Sequence, residues 1–189
     1  LRPIDAPTLV DYIALAPEER TARLAAQTLP LAGARLAPPL VPQRNVFCVG
    51  RNYLEHAKEG AAVFGTELKL PDVPTFFTKA PTAIVGPEAA VELQARISDR
   101  YDFEAELGVV IGTRCKDVTE DDWRRVVFGY TCVNDVTARD LQRSHVQWFK
   151  GKSLDGGCPI GPCVVSAEEI PVPHEVEIGM KISGVQKQL

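Results

Sequence analysis

Three carboxylates at alternate positions open the chemistry of this chain. In YDFEAELGVVIG (residues 101–112), Asp102, Glu104 and Glu106 fall at i, i+2 and i+4. An extended strand therefore points all three to one face and turns Phe103, Ala105 and Leu107 to the other. Neighbouring carboxylates about 6–7 Å apart repel by about 0.6 kcal/mol in bulk water, but by about 2.5 kcal/mol at an effective dielectric of 20. On a solvated face that cost is trivial; in a cleft it calls for a cation. Asp135, at the end of FGYTCVND, supplies a further acid. A hard divalent ion such as Mg²⁺ takes about six oxygens, typically a few carboxylates plus water or substrate. Glu104, Glu106 and Asp135 would supply three and leave positions open. The same spacing also allows two glutamates on a solvated sheet face and Asp135 as a helix cap.

A second constellation lies in RNYLEHAKEG (residues 51–60), where His56 and Glu59 are three residues apart and share one helical face. A carboxylate beside an imidazole raises its pKa and orients the ring, as a base that activates water requires. An exposed surface pair of no consequence meets the same spacing. Other motifs fail. Gly151-Lys152-Ser153 suggests a phosphate loop, but Val146 stands where the leading glycine is needed. No GxSxG elbow occurs, and the adjacency of Ser144 and His145 is no catalytic arrangement. Trp148 and Phe149 read as core residues.

The elements that must position these groups are short. Residues 7–27 read as helical, with Pro17, Glu18 and Glu19 giving the usual first-turn chemistry. PLAGARLAPPLVPQR (residues 30–44) reads as a linker. From Asn45 the pattern turns to short strands (VFCVG, VPTFFTK, TAIVG, residues 101–111, FGYTCVND, PCVVS) with short helices at RNYLEHAKEG, TEDDWRRVV and TARDLQRS. Val176, Ile178, Met180 and Ile182 alternate into a turn at Ser183-Gly184, and the return strand looks cut short. The expected class is α+β with a mixed sheet: residues 1–43 form a small N-terminal helical region and linker, and residues 44–189 the main domain.

Composition narrows the function. The 189 residues are 45% hydrophobic and 24% charged with a net charge of -4, which supports a packed core and argues against nucleic-acid or anionic-membrane partners. No apolar run approaches the ~18–20 residues of a membrane span, and the N-terminus has no signal-peptide core, so a cytoplasmic location is expected. The five cysteines (Cys48, Cys115, Cys132, Cys158, Cys163) form no CxxC pair and read as buried, reduced thiols.

Taken together, VGRNYLEHAKE, PTFFTKAPTAIVGP, DFEAELGVVIG, GYTCVNDVTARDLQ, WFKGKSLDGGCPIGP and the final ISG resemble the fumarylacetoacetate hydrolase family from about residue 44 onward. The resemblance implies a mixed β-roll, preceded here by the small N-terminal region. It also implies a Mg²⁺ or Mn²⁺ site that chelates 2-oxo acids, and homodimers. The implied chemistry is cleavage, decarboxylation, hydration or isomerisation beside the oxo group. By position, Glu104, Glu106 and Asp135 match the metal ligands, and Asp102 has no such match and suits a supporting role. His56 and Glu59 match a water-activating pair of the acylpyruvate-cleaving branch, on a lid segment. Lys152 matches a lysine on the substrate oxyanion, and Arg139 and Gln142 match polar groups aimed at the same site. Arg51 and Lys79 are weaker matches, for a distal carboxylate. Members with a fourth carboxylate ligand carry it early in the domain, where this chain has VGRNY. Family chains also continue further, with strands and a substrate-contacting threonine, so this chain resembles a fragment, a proteolysed product or a truncated form.

The leading expectation is a metal-dependent hydrolase that cleaves a C–C bond in acylpyruvate-type 2-oxo acids, such as fumarylpyruvate. The first alternative is oxaloacetate decarboxylation, or hydratase, isomerase or dehydratase work on the same site. A non-catalytic fragment or scaffold is the alternative of another class.

Overall fold

The computed structural model describes residues 3–53 and 72–188. The N-terminal region holds two short helices. Helix α1 (Leu9–Ile13) is capped by the Thr8 side chain, which accepts from the Asp11 amide at 3.2 Å. Helix α2 (Pro17–Ala22) starts on Pro17 with Glu18 and Glu19 in its first turn, where acids meet the positive end of the helix dipole. Ala14, Leu15 and Ala16 separate the two, so the helical reading of 7–27 holds in pieces. Residues 30–44 contain no helix or strand, as the prolines require. Arg20 donates to the carbonyls of Ile13 and Leu15 and lies 5.0 Å over the Phe128 ring, tying this region to the main sheet.

Strands β1 (Val46–Gly50) and β2 (Thr75–Lys79) pair antiparallel, with Val46 opposite Lys79. Their alternation sends Phe47 and Phe76 to solvent and Lys79 inward. After a 3₁₀ turn at Pro81–Ala83, β3 (Ile84–Val85) joins a four-stranded sheet with β5 (Ala105–Ile111), β6 (Val127–Asn134) and β8 (Cys158–Ser166). The spatial order is β3-β8-β6-β5; β3 runs parallel to β8, and the other pairs are antiparallel. Among the described residues Ala83, Cys158 and Ile160 form a buried apolar cluster, with Ile84 and Val133 against it, and Ile13, Ala105, Tyr130 and Ala138 are also buried. Strand β4 (Tyr101–Asp102) pairs with β7 (Thr137–Ala138), followed by helix α3 (Arg139–Ser144) and helix α4 (Phe149–Lys152). Strands β9 (Met180–Ile182) and β10 (Val185–Gln188) form the expected hairpin, turning at Ser183 and Gly184, both with positive φ (50° and 79°), as a type I′ turn demands. The architecture is the α+β mixed-sheet arrangement read from the sequence.

Several expectations need correcting. The strand expected over 101–111 is broken at Phe103 and Glu104, because side chains replace the ladder there: Asp102 Oδ1 accepts from the Phe103 amide and Asn134 Oδ1 from the Glu104 amide. Only Cys158 is buried and Cys48 partly so, whereas Cys115, Cys132 and Cys163 are exposed. Trp148 packs on Phe77 at 5.4 Å between ring centres, but Phe149 is exposed. Helix α3 begins from Ala138, so Asp135 caps nothing.

Glycine is required where β6 crosses β8: a Cβ at Gly129 would stand 2.1 Å from the Val165 carbonyl oxygen. Gly129→Ala must therefore pry these central strands apart, with an expected loss of about 3 kcal/mol. Urea unfolding should show a lower midpoint at an unchanged slope.

Candidate active site

The site is built where two strands stop opposite each other. Strand β5 begins at Ala105 and β6 ends at Asn134, and these two residues are partners in the ladder. Glu104 and Asp135 are thus the first residues beyond the pairing on each side, joined by a bond from the Asp135 amide to the Glu104 carbonyl at 2.8 Å. Pairing resumes beyond the gap, with Asp102 opposite Thr137. Both carboxylates are left inside the fold, Glu104 at 8% and Asp135 at 3% exposure.

Buried carboxylates need cations, and three converge. Lys79, from the end of β2, donates to Asp135 Oδ1 at 2.6 Å, to the Val136 carbonyl at 3.2 Å and to the Lys152 carbonyl. Lys152, from the last position of α4, donates to Asp135 Oδ2 at 2.6 Å and to Glu104 Oε2, with its ammonium 4.8 Å from the Phe77 ring centre. Both lysines are fully buried. Arg139 opens α3 and forks between Asp102 Oδ2 (2.7 Å) and Glu104 Oε1 (2.8 Å), and also donates to Gln142 Oε1 at 3.1 Å. Helix α4 reaches this depth because Gly151 carries no side chain; a Cβ there would lie 2.7 Å from the Gln142 amide nitrogen.

Proton affinities follow from these contacts. Burial alone would raise the Glu104 carboxyl, but the Lys152 ammonium and the Arg139 guanidinium outweigh it and hold it at about 2. Glu106 has no ion-pair partner among the described residues. Burial pushes its carboxyl up to about 7; the Tyr53 hydroxyl pulls it back by hydrogen bonding, while the charges of Glu104 and Asp135 push it further. Burial likewise lifts the Cys48 thiol to about 12 and the Cys158 thiol to about 11, so neither is a thiolate nucleophile at neutral pH.

The expected residues therefore separate. Glu104, Asp135, Lys152, Arg139 and Gln142 are brought together, with Glu106 close enough for its charge to be felt and Asp102 holding Arg139. Lys79 belongs to the same cluster, wholly buried, with its three donors directed to Asp135, the Val136 carbonyl and the Lys152 carbonyl. Arg51 is exposed with φ 57° and makes none of the cluster's contacts. His56 and Glu59 lie outside the described residues.

Three members were not anticipated. Thr137 is fully buried with its hydroxyl 3.1 Å from Glu104 Oε2; Tyr53 bonds Glu106; Asn134 holds the Glu104 amide. Thr137 two places after Asp135 was the available signal, since alternation returns it to the same side.

The donor chemistry suits a hard divalent cation: oxygen ligands only, and four carboxylates (Asp102, Glu104, Glu106, Asp135) against three side-chain cations. As the side chains lie, no three acidic, histidine or cysteine groups among the described residues close around an ion, because Lys152 already holds the facing oxygens of Glu104 and Asp135.

Known proteins share this arrangement of sequence and fold. The family model for the fumarylacetoacetate (FAA) hydrolase C-terminal domain matches residues 45–189. An oxaloacetate tautomerase, YisK, of Bacillus subtilis is 40% identical over 152 residues, covering 80% of this chain and 49% of the relative. A solved fumarylacetoacetate hydrolase of Exiguobacterium antarcticum superimposes with a TM-score of 0.78 at 38% identity, covering 98% of this chain and 64% of that one. A 5-carboxymethyl-2-hydroxymuconate delta-isomerase of Mycobacterium smegmatis gives a TM-score of 0.73 at 36% identity, over 87% and 61%. The chain thus spans about half the length of the tautomerase and under two-thirds of the two solved structures.

Glu106 makes stability pH-dependent in a defined direction. Its folded-state carboxyl titrates above the unfolded value, so the native state holds the proton more tightly and stability falls as pH rises from about 4.5 to about 7. Glu104 acts oppositely: its contribution is complete above about 4.5 and is lost as pH falls towards about 2. In the presence of a chelator, the urea midpoint of Glu106→Gln should exceed that of the parent chain at pH 8 and approach it at pH 5.

Proposed function

The chain belongs to the fumarylacetoacetate hydrolase family, and on that premise we propose that it is an enzyme that converts 2-oxo acids by way of an enolate, with Mg²⁺ or Mn²⁺ held by Glu104, Glu106 and Asp135. The observation that supports this most is the convergence of those carboxylates with Lys152, Arg139 and Gln142 at the open end of the β5–β6 pairing. When bound, the divalent cation supplies Lewis acidity to a chelating 2-oxo carboxylate. Lys152 presents a positive charge where negative charge grows on the substrate oxygen. Arg139, fixed by Asp102 and Glu104, keeps Gln142 oriented through its side-chain oxygen and leaves the Gln142 amide group to donate.

Within this frame, the pair His56–Glu59 supports hydrolytic C–C cleavage of an acylpyruvate: Glu59 orients His56, which takes a proton from the water that attacks the distal carbonyl. A second reading, tautomerisation or isomerisation of a 2-oxo acid, is favoured by the names of two relatives, the oxaloacetate tautomerase and the muconate isomerase. It needs only proton transfer at the carbon beside the oxo group. Homodimers in the cytoplasm, with a small 2-oxo acid as the one partner, complete the proposal. No helix among the described residues is long and apolar enough to cross a membrane.

Oxalate copies the two oxygens of a pyruvate enolate and is the direct probe. Calorimetry should show oxalate binding in Mg²⁺ and none without it; a folded sample that binds oxalate in neither condition overturns the proposal. Glu106→Ala should weaken Mg²⁺ binding by more than about 100-fold, beyond what loss of an outer hydrogen-bond partner causes, with an unchanged far-ultraviolet circular dichroism spectrum. Release of pyruvate from an acylpyruvate would select hydrolysis, and accelerated keto–enol exchange of oxaloacetate without carbon loss would select the tautomerase reading.

A further inference from the structure

Two buried lysines reach the same aspartate, and the remaining contacts of each set them apart. Lys79 is fixed: besides Asp135 Oδ1 it donates to the backbone carbonyls of Val136 and Lys152, so its three hydrogens are spent and two of the acceptors cannot leave. Lys152 has no such anchor. Its ammonium donates to Glu104 Oε2 and Asp135 Oδ2, and its other neighbour is the face of Phe77, which accepts a cation without binding it in one direction. Its two polar partners are thus side-chain oxygens, and both belong to the carboxylates read above as cation ligands. The third of that set, Glu106, carries no ion pair among the described residues.

We propose that Lys152 is an exchangeable internal cation of this site. Its ammonium joins Glu104 to Asp135, and Lys152 would release both carboxylates when they, with Glu106, hold a divalent cation in its place. Two cations in contact with one buried pair of carboxylates repel each other with little solvent to screen them, so occupancy by one disfavours the other. Lys79 stays where it is and holds Asp135 in position through the exchange. The lysine is then delivered to the substrate only once the divalent cation is in place, which couples loading of the site to the appearance of its positive charge there. This inference rests on the reading that Glu104, Glu106 and Asp135 bind a divalent cation.

The test needs no variant to begin. The unaltered chain is acetylated with an N-hydroxysuccinimide ester with and without Mg²⁺, and each lysine is scored by peptide mass spectrometry. Labelling of Lys152 should rise severalfold with Mg²⁺ while Lys79 stays protected. Labelling of Lys152 that is unchanged or reduced, in a sample shown by calorimetry to bind Mg²⁺, overturns the exchange and leaves the metal reading intact. Lys152→Met and Lys79→Met extend the test. Lys152→Met should bind Mg²⁺ about tenfold more tightly than the parent, because the competing occupant is gone. Its melting temperature should be lowered in chelator and restored by Mg²⁺, whereas Lys79→Met should be destabilised in both conditions. Failure of both the parent and Lys152→Met to bind Mg²⁺ would overturn the metal reading and the exchange together.

Discussion

Asp135 held between two lysine ammoniums is the interaction on which the rest depends. A carboxylate at 3% exposure cannot remain ionised without compensation, and here each of its oxygens has its own cation, Lys79 on one side and Lys152 on the other. Lys152 extends the arrangement to Glu104, and Arg139 extends it from Glu104 to Asp102. The result is one continuous chain of alternating charge through five separate segments. Such a network adds little net stability over well-packed apolar residues of the same volume, but breaking one link leaves an unpaired charge and is costly. In this part of the fold charge pairing works beside the apolar cluster of Ala83, Cys158 and Ile160.

The backbone provides for this by interrupting itself. Phe103-Glu104 and Asp135-Val136 leave the ladder at the same level, and side chains of Asp102 and Asn134 take up amides that a partner strand would otherwise satisfy. An unbroken sheet would have laid Glu104 flat along a face. The gap instead lets Glu104 meet Asp135 across the end of the β5–β6 pairing, with α3 and α4 closing over them. Gly151 sets how closely α4 approaches and therefore how far Lys152 reaches.

Much of this was legible in the chain. The alternation of Asp102, Glu104 and Glu106 located the acidic centre, and Asp135 at the end of an apolar run located its counterpart. The strands VFCVG, TFFTK and FGYTCVN and the Ser183-Gly184 turn were equally readable, because each combines apolar alternation with a turn residue. The break at Phe103-Glu104 was not, since it depends on Asn134, thirty residues away in sequence, presenting its side-chain oxygen. The inward placement of Lys79 was hidden for a related reason. A lysine at the end of a strand is normally a solvated rim cation, and only the β1–β2 register and the position of Asp135 turn it inward. Thr137 follows Asp135 by two places, as alternation asks of a residue on the same side, whereas Tyr53 carries no such signal; what each bonds to is fixed by tertiary structure.

Where these charges come from bears on how the molecule assembles. The contacts of the cluster join Lys79 to residues 56 to 73 positions further along and Lys152 to one 48 positions back. None of these ions can be stripped of water before its partner arrives, so the cluster cannot be built one member at a time. Its contacts span long stretches of chain, so they require β5, β6 and the two short helices to be within reach of one another. Unpaired, the same lysines and acids are hydrated ions, and hydrated charge favours a dispersed chain over an aggregated one, so the residues read here as the chemistry of the finished protein also act on the chain that has not yet paired them.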